Sequence, residues 1–312
     1  MPGQAEIEIS ADQFRELFDR VSNWGRWGPE DERGAMNLLT PERVAAGATL
    51  VRTGETVSIS RALNTKREPD NPEPAEHRMT MLADQDIGSG TLRFAKDYVG
   101  VDYHNDSHSH IDALCHVAFD GSLYNGRPSD SVSAEGAAAE TIEVLKDGLV
   151  GRGVLLDIPL SRGVRWLEPG DHVLPADLEE AERAQGVVVG EGDILLVRVG
   201  HAERLDELGP WDTASSKAGL HPSCALFLDE RGVAALGSDG NNDTAPSAAE
   251  GVDFPIHALA LNAMGIHLLD YLHLGELDEA CRRLSRWEFL FVGAPLRIEH
   301  GTGSPLNPIG VF

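Results

Sequence analysis

The order of apolar and polar residues along the chain predicts helices that alternate with short strands. The earliest apolar residues recur at the spacing of one helix face, and they are Phe14, Leu17, Phe18 and Val21. Ser10 or Asp12 can cap this first helix, and a second helix is expected after Pro41. Residues 66–77 are polar and rich in proline, which indicates a surface loop.

Further along, two kinds of apolar pattern follow one another. Short β-branched or Leu-rich runs predict strands over residues 56–60, 154–158, 194–199, 225–228 and 288–292. Helical patterns predict helices over residues 176–185, 256–264 and 274–284. This alternation is typical of an α/β or α+β domain with a mixed sheet. We find no internal repeat and no long linker, so we expect residues 1–312 to form one domain.

Composition narrows the range of partners. The chain has 26 Lys plus Arg against 51 Asp plus Glu, a formal net charge of −25. Such a surface repels phosphate backbones and anionic lipids, so we expect a small-molecule substrate, no nucleic acid and no membrane. The most apolar stretch, residues 256–269, is interrupted by polar side chains, and no signal-peptide pattern is visible. Three scattered cysteines fit a reducing compartment, and we expect the cytoplasm.

The chemistry-bearing residues concentrate in one segment, residues 104–116, which holds four of the 12 histidines. If this segment is an extended strand, five alternate side chains share one face: His104, Asp106, His108, His110 and Asp112. His116 follows four residues after Asp112, where a turn could bring it back. Imidazole and carboxylate groups together suit zinc, manganese or iron(II). Packing does not explain such a face, since burying these groups unpaired is costly, so the segment predicts a metal site.

A metal site of this kind has a direct use in hydrolysis. A divalent ion lowers the pKa of a bound water from about 16 towards about 7 and polarises a carbonyl group. An imidazole such as His116 can take and return the proton. The chain has no G-x-S-x-G motif, which argues against a serine hydrolase.

Several sequence blocks resemble those of a known family. The residues SHIDALCH resemble the core of the signature HxGTHxDxPxH of the cyclase family, which includes bacterial kynurenine formamidases and isatin hydrolases. NWGRWGPEDERGAMNLLTPE, DGSLYNG, AMGIHLLDYL and RWEFLFVGAPLRIEHGTGSPLNP also resemble family blocks, so the likeness covers nearly the whole chain. The resemblance implies a swivelling β/β/α domain, one or two Zn²⁺ or Mn²⁺ ions, and a homodimer or homotetramer. It also implies hydrolysis of an amide or lactam C–N bond in a small aromatic or cyclic substrate, of the arylformamidase or isatin-hydrolase type.

The resemblance further implies a role for individual residues. It gives five metal ligands, namely Asp106, His110, Asp112, His257 and Asp270. Asp270 stands where the family usually has Glu. Asp106 stands where the signature has its first His, and His104 or His108 are the alternatives for that ligand. His116 matches the last His of the signature and is implicated in proton transfer.

Three further residues are candidates for contact with substrate. Trp24 and Trp27 could wall an aromatic pocket, although buried structural tryptophans are about equally consistent with the pattern. Asp239 begins the run DGNND, which could form a loop over the site, although an ordinary turn is favoured. The N-terminal segment, residues 1–50, could complete the site of a neighbouring subunit.

Other functions are compatible with parts of this pattern. A metal-dependent isomerase or cyclase would use the ion to stabilise an enolate, and no water would enter its product. A metal-binding sensor without turnover is disfavoured by His116, a candidate base beside the ligands. A cupin-type oxygenase is disfavoured because the Glu expected after the His108–His110 pair is missing and helices are too frequent.

Overall fold

The first helix confirms the prediction made from its apolar spacing. The structure is a computed structural model that describes residues 8–84, 88 and 90–312. Helix α1 (Ala11–Val21) begins after the cap residue Ser10, whose hydroxyl accepts a hydrogen bond from the Gln13 amide. The Gln13 side chain accepts one from the Ser10 amide in return, which completes a capping box. Its buried face then packs into the core.

The helices that follow include one unusual element. In chain order they are α2 (Pro41–Ala48), α3 (Ile158–Arg162), α4 (Pro175–Gln185), α5 (His201–Leu208), α6 (Cys224–Arg231), α7 (Pro255–His257) and α8 (Gly275–Leu284). Short 3₁₀ turns lie at Gly34–Leu38, Leu114–His116, Tyr124–Gly126, Ser129–Ser131 and Ile142–Leu145. Helix α7 continues directly as a buried π-helix, Ala258–Met264. The helices predicted over residues 176–185 and 274–284 are confirmed, and the one over 256–264 is mostly π-helical.

The strands are short, apart from one. They are β1 (Thr56–Ser58), β2 (Glu76–Met81), β3 (Lys96–Gly100), β4 (His110–Asp112), β5 (Val132–Ser133), β6 (Gly136–Ala137), β7 (Leu149–Asp157), β8 (His172–Val173), β9 (Ile194–Arg198), β10 (Gly219–Leu220), β11 (Ala235–Ser238), β12 (His267–Asp270), β13 (Glu288–Gly293), β14 (Gly303–Pro305) and β15 (Ile309–Val311). The strands predicted over residues 56–60, 154–158, 194–199 and 288–292 correspond to β1, β7, β9 and β13.

One large mixed sheet organises the molecule. Among the described residues, nine strands form it in the order β1-β15-β13-β7-β9-β11-β12-β4-β14. The run from β7 through β9 and β11 to β12 is parallel, and the outer pairs are antiparallel. Every residue of β9, β11 and β12 is buried, as expected of parallel strands covered on both faces. The mixed α/β fold with a sheet flanked by helices is therefore confirmed. Within the part of the chain that the structure describes, no helix is long and apolar enough to cross a membrane.

The strand predicted over residues 225–228 is wrong. These residues lie in helix α6, whose buried members are Cys224, Ala225, Phe227 and Leu228. That spacing is one face of a helix, and the face packs into the core. A short apolar run does not by itself distinguish a buried strand from a buried helix.

The single extended strand expected from residue 104 to residue 112 is also wrong. Only His110–Asp112 is a strand, and residues 104–107 turn. The side chain of Asn105 causes this turn, because its amide donates to the Asp102 carbonyl at 2.9 Å and its oxygen accepts from the Ser107 amide at 2.9 Å. Asparagine stabilises turns through such bonds to nearby backbone. The five side chains therefore do not share one strand face.

The glycine-rich N-terminal segment packs tightly against the end of the π-helix. Gly34 has a φ of +56°, and a Cβ built on it would lie 2.1 Å from the Gly265 carbonyl oxygen. The neighbouring Ala35 amide donates to the same oxygen at 2.7 Å. Only glycine fits at residue 34, so this contact holds the N-terminal segment against the π-helix that begins just after His257.

Candidate metal centre

Strand pairing places two distant parts of the sequence side by side. Asp270 on β12 lies opposite His110 on β4. Side chains alternate along a strand, so His110 and Asp112 share one face of β4 while Ile111 between them lies in the core. His257, at the end of α7, approaches the same face from another element.

Two overlapping groups of side chains turn metal-ligating atoms towards one another. The first group is His104, His110 and Asp112, and the second group is Asp112, His257 and Asp270. Within each group the candidate ligand atoms all lie within 4.8 Å of one another. Asp112 belongs to both groups. The arrangement could therefore hold one or two cations.

The distances around Asp112 suit metal coordination. Its Oδ1 lies 2.9 Å from His104 Nδ1 and 3.5 Å from His110 Nε2, and its Oδ2 lies 3.6 Å from His257 Nε2. His257 Nε2 also lies 3.3 Å from Asp270 Oδ2. Two atoms that bind one ion tetrahedrally at about 2.1 Å are roughly 3.4 Å apart. Both Asp112 oxygens are buried, yet neither accepts a hydrogen bond, and a carboxylate so placed is costly without a cation. The residues present fit a divalent metal ion.

The two histidines of the first group are oriented by hydrogen bonds on their far side. His104 Nε2 lies 3.0 Å from the Thr302 hydroxyl, which leaves Nδ1 towards Asp112. His110 Nδ1 donates to the His108 carbonyl oxygen at 2.8 Å, which leaves Nε2 towards the same carboxylate. Partners of this kind fix the tautomer and the ring orientation of a metal-ligating histidine.

The second group is supported by the loop that follows β11. His257 Nδ1 donates to the Asp243 carboxylate at 2.6 Å, so its Nε2 faces the group. The side-chain amides of Asn241 and Asn242 donate to the two oxygens of Asp270. The sequence interpretation favoured an ordinary turn for this run and did not name these three residues as site residues. A run of Asn and Asp at the carboxyl end of a parallel strand, where α/β folds place their ligands, is the signal that could have found them.

The electrostatics of the two groups follow from their burial and their charges. Burial opposes ionisation of Asp112, but the nearby imidazoles, His116 first among them, hold the pKa of its carboxyl well below the usual range. Burial also lowers the pKa of His257, yet the carboxylates of Asp270 and Asp243 outweigh it and raise that pKa well above its ordinary value. Two carboxylate side chains therefore lie beside His257, and carboxylate is a group that divalent cations bind.

His116 lies just beyond β4, outside both ligand groups. Its ring stacks on that of His104 with centroids 3.8 Å apart and planes 2° apart. Burial lowers the pKa of His116 to about 4, although Asp112 acts in the opposite direction. The imidazole is therefore neutral near pH 7 and can accept a proton.

A cavity of about 220 Å³ opens onto both ligand groups and onto His116. Val117 and Phe254 supply apolar wall, and Asn105, Asp106 and Asn241 supply polar wall. Phe254 is 49% exposed and escaped the sequence interpretation. The cavity is smaller than most ligand sites, whose volumes run from about 300 to 1,000 Å³.

The three candidates for the first metal ligand lie in different surroundings. His104 is the one beside Asp112, whereas Asp106 lines the cavity and belongs to neither ligand group. His108 is buried, and neither of its ring nitrogens has a hydrogen-bond partner. The metal-ligand role of Asp106 stays a prediction.

The three residues predicted to contact substrate do not line this cavity. Trp24 donates from its indole nitrogen to the Asn262 carbonyl at 2.7 Å, and Trp27 packs against the core. Asp239 is buried, and its carboxylate accepts hydrogen bonds from the backbone amides of residues 199–201. Each side chain therefore has a structural contact, and its contact with substrate stays a prediction.

Comparison with known proteins identifies the family of this chain. The family model named Cyclase matches residues 57–242. A solved structure described as a novel cyclase is 33% identical, covers 95% of this chain and 99% of its own, and superposes with a TM-score of 0.85. A search of curated protein sequences finds no match.

More distant structures share the fold. Isatin hydrolase A from Labrenzia aggregata, solved with benzyl benzoate, is 19% identical, covers 86% of this chain and 97% of its own, and has a TM-score of 0.58. A predicted metal-dependent hydrolase from Bacillus stearothermophilus is 16% identical, covers 82% of this chain and 97% of its own, and has a TM-score of 0.50. The match of the family model, together with the 33% identical structure, shows that this chain belongs to the cyclase family.

Proposed function

We propose that this protein is a metal-dependent hydrolase that opens the C–N bond of an amide or lactam in a small aromatic or cyclic substrate. The observation that carries the proposal is the pair of ligand groups sharing Asp112, with the neutral imidazole of His116 on the same cavity. The isatin hydrolases that share the fold support the choice of a cyclic amide.

One or two Zn²⁺ or Mn²⁺ ions would be held by the two ligand groups, because histidine and carboxylate together suit these metals. We place His104 in the first group, since its Nδ1 is 2.9 Å from Asp112. When bound, such an ion supplies Lewis-acid chemistry, lowering the pKa of a water and polarising a carbonyl group.

The protein's own residues transfer the proton and leave water as the nucleophile. His116 takes a proton from the attacking water and returns it to the leaving nitrogen, which its neutral state permits. Among the described residues that line the cavity there is no Ser, Thr or Cys. Water is therefore the nucleophile in this proposal.

The cavity suits a small, flat substrate. Its volume of about 220 Å³ leaves room for one or two fused rings. Val117 and Phe254 offer an apolar surface to such a ring, and the ligand groups lie at the polar end.

The test is turnover by protein of known metal content. Purified protein is assayed for bound metals, stripped with a chelator, reconstituted with Zn²⁺ or Mn²⁺, and screened against N-formylkynurenine, isatin and simple cyclic imides in H₂¹⁸O. We expect metal-dependent ring opening or deformylation with one ¹⁸O atom in the product. No turnover of any substrate by the metal-loaded protein would contradict the proposal. Turnover without ¹⁸O incorporation would favour the isomerase or cyclase alternative.

A further inference from the structure

Asp106 lies on the cavity wall as a carboxylate fixed by three other side chains. Its Oδ1 accepts a hydrogen bond from the Tyr271 hydroxyl at 2.6 Å and lies 3.4 Å from the ammonium nitrogen of Lys217. Its Oδ2 accepts from the Thr213 hydroxyl at 2.8 Å. Tyr271, Thr213 and Lys217 are all buried. The carboxylate is therefore held in one orientation.

These three contacts leave acceptor capacity on the side of the cavity. A carboxylate offers about four lone-pair positions, and Oδ2 uses one of its two for Thr213. The Asp106 side chain keeps 21% of its surface exposed and lines the cavity. Asp106 thus presents a hydrogen-bond acceptor to whatever occupies the cavity.

Other polar groups of the cavity wall already have partners, apart from the buried side-chain oxygen of Asn241. Asn105 bonds to the backbone of residues 102 and 107, and Asn241 donates to Asp270. Asp270, His104, His110 and His257 belong to the ligand groups, and His116 is the candidate for proton transfer. Of the carboxylates that line the cavity in the described part of the chain, Asp106 is the one outside those groups.

We propose that Asp106 accepts a hydrogen bond from the N–H of the substrate and so selects secondary amides and lactams over N-alkylated ones. This inference rests on the proposed function for its choice of ligand. A site that binds a substrate N–H discriminates against an analogue without it, because the acceptor is then left unpaired. Lys217, which touches Asp106 and not the cavity, acts as a positioning residue.

The test compares isatin with N-methylisatin, which differ by one methyl group on the nitrogen. In Asp106→Asn, the two donors at Oδ1 keep the amide oxygen there, so the NH₂ group replaces Oδ2 and can no longer accept the N–H. The side chain keeps its size, so any steric rejection of the methyl group persists. We expect the isatin to N-methylisatin ratio of kcat/KM to fall by about 10–100-fold, the usual range for a hydrogen bond to a charged group.

Metal content and a matched control complete the design. We expect Asp106→Asn to retain its metal, and Asp102→Asn, the same change at an exposed residue outside the cavity lining, to behave as wild type. An unchanged ratio in Asp106→Asn would overturn the inference, and loss of metal would identify Asp106 as a ligand instead.

A failure of the proposed function leaves a distinct result. If metal-loaded wild type does not hydrolyse isatin, calorimetric binding of the same two lactams still measures the preference. Tighter binding of isatin that is lost in Asp106→Asn supports the inference without hydrolysis. Equal binding of the two lactams, or binding of neither, overturns it.

Discussion

The two ligand groups differ in where their side chains come from and in what supports them. His104, His110 and Asp112 lie in one short segment, and their histidines rely on a hydroxyl and a backbone carbonyl. The second group is assembled from β4, α7 and β12. Its His257 relies on the carboxylate of Asp243, and its Asp270 on two side-chain amides.

Residues that are close in sequence are therefore not the ones with the strongest hydrogen-bond support at this site. A carboxylate partner makes an imidazole a more basic ligand than a hydroxyl partner does. We therefore expect the second group to bind its ion more tightly, although the first is the one visible as a motif. Four sets of variants test the ligand groups and the residues around them.

The largest effect is expected at Asp112, which both groups share. Asp112→Asn removes the charge between them, so we expect loss of all bound metal and a loss of activity above about 10⁴-fold, more than a single acid–base group contributes. Elemental analysis and turnover measure this. Retention of one tightly bound ion would show that the groups are independent.

Replacing His116 should slow the reaction without removing the metal. Because it lies outside both groups, His116→Ala is expected to keep most of the metal and to lose about 10²–10⁴-fold in kcat. The measurement is elemental analysis beside steady-state kinetics. If His116→Ala abolished metal binding as fully as Asp112→Asn, His116 would be a ligand and the base would lie elsewhere.

A matched pair of variants compares the hydrogen-bond partners of the histidines in the two groups. Asp243→Asn removes the negative charge behind His257, and we expect metal affinity to fall by about 10–100-fold. Thr302→Val removes only the hydroxyl behind His104, so a smaller loss is expected. Competition with a chromogenic chelator gives both affinities. Equal losses would contradict the proposed asymmetry.

The smallest expected effect is a change of stability with pH, and it comes from the buried side chain of Glu140. The Glu140 carbonyl accepts from the Cys115 amide, next to His116, and its side chain is fully buried. Burial, together with Glu32, raises the pKa of Glu140 from 4.5 to about 8, although Arg127 lowers it. The folded state therefore binds the Glu140 proton more tightly than the unfolded state does. The stability that this proton contributes is fully present below pH 4.5 and is lost as the pH rises through about 8.

Glu140→Gln should remove this pH dependence. We expect the melting temperature of wild type to fall by several degrees relative to that of the variant between pH 6 and pH 9. Each kcal/mol of unfolding free energy corresponds to about 2–4 °C in melting temperature. Differential scanning calorimetry of the metal-free proteins measures the difference, in which other titrating groups cancel. Parallel pH curves for the two proteins would show that Glu140 is not the titrating group.

Much of the fold could be predicted from local patterns. The first helix carries its own cap and apolar face, and β7, β9 and β13 are runs long enough to identify as strands. Residues 225–228 could not be assigned correctly, because four apolar residues satisfy a strand and a helix equally. The π-helix after His257 also leaves no mark in the apolar pattern, since all seven of its residues are buried.

From the sequence, His110 and Asp112 could be placed in one ligand group with His116 close by, whereas the first ligand stayed open between Asp106, His104 and His108. His110 and Asp112 are two residues apart, so any strand places them on one face, and His116 follows too closely to lie far away. Two features could be seen only in the folded chain: a turn at Asn105 brings His104 beside Asp112, and Asp243 hydrogen-bonds to His257. The position of His104 depends on hydrogen bonds from the Asn105 side chain to the backbone. The contact between Asp243 and His257 depends on the strand order, which puts β11, β12 and β4 side by side. No local pattern in the sequence encodes that order.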